Sequence, residues 1–185
     1  MNTTPSITDT VMNMVSQSIQ VLIKPSVETF EQFENKGTLR EAVIYVLIAA
    51  VITGLFSLGG GIGAFLNAII YTILGFLIFT YLVNYVGKTQ GGTGTLDNVA
   101  YTFALFWAPI NVLFAVASLI LLITVIGIFL IPLLAIASLV INVYFAYLAV
   151  QSSMNLRESG KIWITLAVAF VGTLIANLVI ASILR

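Results

Sequence analysis

The sequence predicts an all-α, polytopic membrane protein: five transmembrane helices preceded by one or two amphipathic cytoplasmic or interfacial helices. Three observations carry this. The 185 residues are 60% hydrophobic and 8% charged, with a mean hydropathy of +1.12, whereas a soluble domain is about a quarter charged. Apolar runs of membrane-crossing length recur at 42–58, 62–86, 99–150 and 162–184. Half of the fourteen charges sit in one stretch, "KPSVETFEQFENKGTLRE", Lys24 to Glu41.

The chain divides into an amphipathic N-terminal helix (1–24), a short interfacial helix with a capping box (25–41) and a five-helix transmembrane region (42–185). Residues 5–23 plot as a helix with Ile7, Val11, Met14, Val15, Ile19, Val21 and Leu22 on one arc. Asp9, Asn13, Ser16, Gln17 and Gln20 oppose them, Thr4 is the expected cap, and Pro5 takes the first helical position. The polar face holds almost no basic residue, so attraction to anionic lipid is weak. The apolar arc must bury itself in the membrane interface, against the bundle, or against a partner or second copy. "MNTTPSITDTVMNMVSQ" lacks the basic and apolar regions of a secretory signal, so the first span is expected to serve as its own insertion signal.

Pro25 and Ser26 open the second element, with Val27, Phe30 and Phe33 at spacing three along one side and Glu28, Glu31 and Glu34 on the rest. Pro25, Phe30 and Phe33 are the candidate partner contacts. Gly37 ends the element, and Thr38 with Glu41 forms a T-x-x-E capping box that opens the first span and leaves Arg40 at headgroup level.

The spans follow at about 42–58, 62–86, 99–123, 128–150 and 162–184. The uncharged run 99–150 has 52 residues, roughly 78 Å as one straight helix against a hydrocarbon core of about 30 Å, so it must fold into two. The turn is placed at Thr124 to Gly127, with Pro132 either in the first turn of the next helix or kinking it. "SLGGGIGAF" is read as a tight hairpin rather than a nucleotide loop, since no P-loop lysine follows it. "GKTQGGTGTLDN" is read as a flexible loop ending in a cap, with Asp97 as that cap or its neighbour.

Lys24, Lys36, Arg40, Lys88, Arg157 and Lys161 share one side of this arrangement, against Arg185 on the other. The positive-inside rule then gives a cell-membrane protein with a cytoplasmic N-terminus and an outside C-terminus. Small residues form stripes on the third, fourth and fifth spans, such as Ala100, Ala104 and Ala108, or Ala169, Gly172 and Thr173. These allow close helix approach in lipid. Asn111, Asn142 and Thr173 are the candidate polar residues of the bundle core, and Asn111 and Asn142 are also the candidates for lining a solute path.

The missing residue types narrow function. Histidine and cysteine are absent, and no Asp, Glu, Lys or Arg falls in mid-span. An ion-coupled transporter needs such a group, and an enzyme needs a nucleophile, base or metal cluster. No catalytic residue, cofactor or metal site is therefore expected, and no nucleic-acid partner. The lipid bilayer is the expected partner, together with a second copy or another membrane protein.

Several motifs resemble one family. "KPSVETF" just before the first span, the "GG-x-G-T" loop at Gly91 to Thr95 and the proline in "YTFALFWAPINVL", Pro109, stand in the order and spacing of the Yip1 domain family. The chain resembles its prokaryotic members over about residues 20–185. The resemblance implies five helices, a cytoplasmic N-terminus and no catalytic residues. Similar eukaryotic proteins act in vesicle traffic, bind prenylated Rab-type GTPases, and associate with one another and with membrane-shaping proteins. This chain departs from them in having about 40 residues before the first span and no long acidic domain to dock a GTPase. The expected function is a non-enzymatic membrane protein that organises or shapes membrane or recruits a partner; the alternative is a small neutral-solute channel or transporter.

Overall fold

The computed structural model describes residues 6–183, and every element among them is helical. Two short helices, α1 (Ile7–Ile23) and α2 (Val27–Glu31), precede α3 (Leu39–Gly54), a 3-10 segment (Leu55–Gly60), α4 (Gly61–Thr89), α5 (Leu96–Leu122), α6 (Val125–Ser153) and α7 (Ser159–Ile183). Caps set most starts. Ser6 caps α1 in a reciprocal box with Asp9, Ser26 caps α2, and Thr38 with Glu41 caps α3 as expected. Thr4 and Pro5, the expected start of α1, lie outside the described residues. The long helices begin or end about three residues beyond the apolar runs, because capped turns carry helix out of the hydrocarbon into the headgroup layer.

Among the described residues four helical stretches, not the expected five, are long and apolar enough to cross a membrane: Leu39–Thr89, Leu96–Leu122, Phe129–Ser153 and Ser159–Ser182. The discrepancy lies in the expected spans 42–58 and 62–86. Where a tight hairpin is expected between two separate spans, Leu55–Gly60 continues the helical path as a 3-10 turn, and α3 alone has 16 residues, about 24 Å. The chain reverses at Gly61, whose φ of 89° suits glycine. The stretch leaves and returns at one end, since Leu39 bonds to Asp97 and Asn84 bonds to Gly94, both beside the start of α5.

The second hairpin is tight, as expected: Thr124 caps α6 by accepting from the Gly127 amide at 3.0 Å. Pro132 falls inside α6 and Pro109 inside α5. The central helix is α5, packed on α3 and α6, while α7 packs chiefly on α4. The α4–α7 contact is close where Gly172 faces Leu82 and Gly75 faces Asn177. Small residues thus set helix spacing, as association in lipid requires. An aromatic chain joins four helices: Phe79 to Phe103 (5.5 Å between centroids), Phe103 to Phe106 (5.3 Å), Phe106 to Phe145 (5.6 Å), and Phe30 edge-on to both Phe106 and Phe145.

Candidate functional site

One end of the bundle gathers the polar residues, and three segments distant in sequence close it. α2 sits against α6, the Gly91–Thr95 loop lies on the turn after α6, and α1 crosses α3 and α5. Ser152 donates to the Glu34 carboxylate at 2.6 Å, Asn98 donates to the Glu34 carbonyl and to Asn35, and Arg157 pairs with Glu31 at 3.3 Å. Glu28, solvent-exposed, has its carboxyl held below the usual range by the backbone N–H beside it, then by the Ser26 hydroxyl and the nearby cations Lys24 and Arg157.

The glycine loop is not the flexible connection expected of it. Thr93 donates its amide to the Met154 carbonyl at 3.0 Å and accepts from Asn155 at 3.0 Å, while Asn84 donates to the Gly94 carbonyl at 3.1 Å. A Cβ on Gly94 would lie 1.8 Å from the Ser153 carbonyl oxygen, and one on Gly92 would lie 2.8 Å from the Gly87 oxygen. These glycines are needed because two backbones touch. Gly91 adds a φ of 92°. The motif is therefore a packing device that closes the α4–α5 connection onto the α6–α7 connection.

Asp97 stands beside the Thr95 cap in the first turn of α5, as expected, and has a further role. Thr95 and Asn98 cap α5 reciprocally, and the Asp97 carboxylate accepts from the Leu39 amide at 2.7 Å, stabilising the first turn of another helix.

The expected partner contacts are also relocated. Phe30 is 0% exposed and Phe33 is 4% exposed, both within the chain's own core, and only Pro25 of the three is partly accessible. The Phe30 ring packs edge-on against Phe106 of α5 and Phe145 of α6. The expected arc of α1 divides in two. Met14, Ser18 and Val21 are buried against the bundle, whereas Val15 and Ile19, with Met12 and Ile23 beside them, stay exposed. Two hydrogen bonds fix the rotation of α1, Ser18 with Tyr45 at 3.1 Å and Tyr101 donating to Gln17 at 2.9 Å.

Asn111, Asn142 and Thr173 fall inside the bundle, but not together. Asn111 lines a cavity of about 300 Å³ between α3, α4, α5 and α6. Asn142 and Thr173 line another of about 490 Å³ between α4, α5, α6 and α7. Trp107 and Thr72 border both, so the two asparagines are on opposite sides of a wall. Each asparagine donates back to its own helix, Asn111 to the Trp107 carbonyl and Asn142 to that of Ser138, as does Thr173 to Ala169. Asn177, which the sequence reading passed over, lines the larger cavity with Asn142. Its signal was present: an amide in an otherwise apolar stretch, four residues after Thr173.

A family model of the Yip1 domain matches residues 19–180. The chain belongs to the Yip1 domain family. The match begins within α1 and ends within α7, so it takes in the polar closure, the packed glycine loop and Pro109 as one unit. No curated protein and no solved structure gave a match. For this Yip1-family chain the motif residues of the resemblance are thereby located: Phe30 in the core, Gly91–Thr95 against Ser153–Asn155, and Pro109 inside α5.

Proposed function

We propose that this chain is a non-enzymatic membrane protein that organises or shapes the bilayer from its cytoplasmic end, with α1 as the element in contact with the lipid interface. The observation that carries the reading is the exposed apolar flank of α1. Val15, Ile19, Met12 and Ile23 cover an arc of about 80° at 100° per residue, adjoining the docked face. Asp9, Asn13 and Gln20 lie on the other side. Gln17, on that polar flank, meets Tyr101, whose ring rests against Gly37 at the polar end. Ser18, one step round toward the apolar flank, meets Tyr45 two turns into α3. We read the exposed apolar flank as the side turned toward the hydrocarbon and the polar flank as the side turned toward water. A helix held so by tertiary contacts occupies area in one leaflet only.

The same geometry supports the orientation. Six cations, Lys24, Lys36, Arg40, Lys88, Arg157 and Lys161, belong to the polar end, which is the cytoplasmic one by the positive-inside rule. α7 starts there and runs antiparallel to α4, Gly172 beside Leu82 and Asn177 beside Gly75, which carries the C-terminus to the opposite side. Recruitment of a second copy or another membrane protein would use the same α1 flank, since Phe30 and Phe33 are enclosed.

The chain has no cysteine, so single-cysteine labelling tests the reading directly. A fluorophore at Ile19→Cys should be quenched by nitroxides carried on lipid, and one at Asn13→Cys by a water-soluble quencher. Reconstituted protein should narrow or tubulate vesicles, and V15E with I19E should abolish this while the bundle stays folded. Equal aqueous quenching at both positions, or vesicle shapes unaltered by the native chain, would overturn the proposal.

A further inference from the structure

The smaller intramembrane cavity, about 300 Å³, offers a second role, independent of α1. Asn111, Ala115 and Ser118 stand one above another on α5, and Ile131, Ala135 and Ser138 do so on α6. Each wall has an alanine at its middle, too short to fill the space between them. The cavity lies toward the helix ends away from the polar closure. Thr53, on its α3 wall, is next to the end of that helix at Gly54, and Ser118 stands four residues, about 6 Å, from the end of α5 at Leu122. Its inner end is shut. Trp107, one turn below Asn111, rests on Phe76 at 5.6 Å between centroids, and Phe103 and Phe106 are buried beneath.

The polar atoms here are unpaired without being sealed. Elsewhere Thr80, Thr165 and Thr173 donate their hydroxyls to a carbonyl of their own helix. The Ser118 hydroxyl makes no hydrogen bond among the described residues, and Asn111 bonds only through its amide group, to the Trp107 carbonyl at 2.7 Å, which leaves its oxygen free. The side-chain atoms that are both buried and unpaired belong to Thr102, Asn142 and Asn177. The oxygens of Asn111 and Ser118 are not among them and so meet open space, about 10 Å apart along one wall of the cavity. Hydrocarbon gives such oxygens no partner, so the content of the cavity is polar. Among the described residues no charged side chain lines it, which disfavours an ion. Its volume is that of about ten waters at about 30 Å³ each. A small molecule with several hydroxyls replaces a row of such waters while keeping their donors and acceptors.

We infer that this cavity binds a small uncharged polyol through the Asn111 oxygen and the Ser118 hydroxyl. It is a blind site, entered from the end away from the polar closure and shut at the layer of Phe76 and Trp107.

The test uses the full chain in lipid nanodiscs with a single cysteine, Ala115→Cys, between the two polar contacts; the native chain has none. Iodoacetamide should alkylate it about ten-fold faster than Leu113→Cys, exposed on another side of α5, because a thiol surrounded by hydrocarbon stays protonated and unreactive. Erythritol should slow the Ala115→Cys reaction saturably, about five-fold at about four times its Kd, as competitive occupancy requires. A dextran too large to enter, at the same osmolality, should not slow it. N111L should abolish the protection and leave the alkylation rate high. If N111L fails to fold, judged by size exclusion, Ala135→Phe on the facing wall should fill the cavity and remove both the rapid alkylation and the protection. Equal alkylation at Ala115→Cys and Leu113→Cys would overturn the inference. Rapid alkylation that erythritol does not slow would overturn it too, leaving a cavity that holds water only. Release of erythritol from vesicles carrying the native chain faster than from empty ones would overturn the blind site.

Discussion

The Asp97 carboxylate, in the first turn of α5, accepts a hydrogen bond at 2.7 Å from the backbone N–H of Leu39, the first residue of α3. An acid that lies on one helix thus stabilises the start of another 58 residues away. Asp97→Ala should lower stability by about 1 kcal/mol, the usual worth of an N-terminal cap, and Asp97→Asn should retain part of it through its remaining oxygen. Thermal unfolding in one fixed detergent measures both; an effect of Asp97→Asn equal to that of Asp97→Ala would show that the negative charge matters more than the acceptor.

Gly94→Ala should be among the most damaging single-methyl additions in the chain. The added carbon would meet the Ser153 carbonyl oxygen at 1.8 Å, a backbone atom that moves only with the α6–α7 connection, so a loss of about 3 kcal/mol is expected. Gly63→Ala is the control: nothing lies within 4 Å of its added carbon, and it should be neutral or stabilising by about 0.5 kcal/mol. The same unfolding assay compares them.

Phe30→Ala should behave as a core deletion. Its ring is fully enclosed and edge-on to Phe106 and Phe145, so about 3–5 kcal/mol should be lost. The readout is faster hydrogen exchange at α2 and the adjoining turns of α5 and α6. Selective loss of a binding partner with unaltered exchange would contradict this.

Arg157 and Glu34 should differ although both make polar contacts across the same closure. The Arg157 side chain is 70% exposed in its pair with Glu31, and Arg157→Ala should cost about 0–0.5 kcal/mol. The Glu34 carboxylate takes a 2.6 Å bond from Ser152, which is buried, and Glu34→Ala should cost about 1.5 kcal/mol, as for bonds to charged acceptors. A Ser152→Ala partner completes a double-mutant cycle, and additive losses would deny the contact.

Orientation should follow the charge pattern. Single cysteines at Lys88 and Arg157 should react with an impermeant reagent only from the cytoplasmic side, and a reporter fused after Arg185 should signal from the opposite side.

Hydropathy alone identified the solvent of this chain, because 60% apolar residues with charges at one end are compatible with little but a bilayer. The capping box of Thr38 and Glu41 was legible as well, since capping is read within four residues. The Gly91–Thr95 motif was visible, but its reason was not: the carbonyls that exclude a Cβ come from Gly87, Ser153 and Met154, and two of these are 60 residues away.

What only the tertiary structure decided is which apolar side chains face protein and which face lipid. Phe30 and Ile19 are equally hydrophobic in a pattern, yet one is in the core and the other exposed. In water such a difference is written in polarity. In a membrane both surroundings are hydrocarbon-like, so the sequence marks the difference weakly, through small residues such as Gly172 and lone amides such as Asn177. The merging of the first two expected spans into one stretch has a related cause: Leu55 to Gly60 is apolar or small throughout, and only the fold shows that its backbone stays helical before reversing at Gly61.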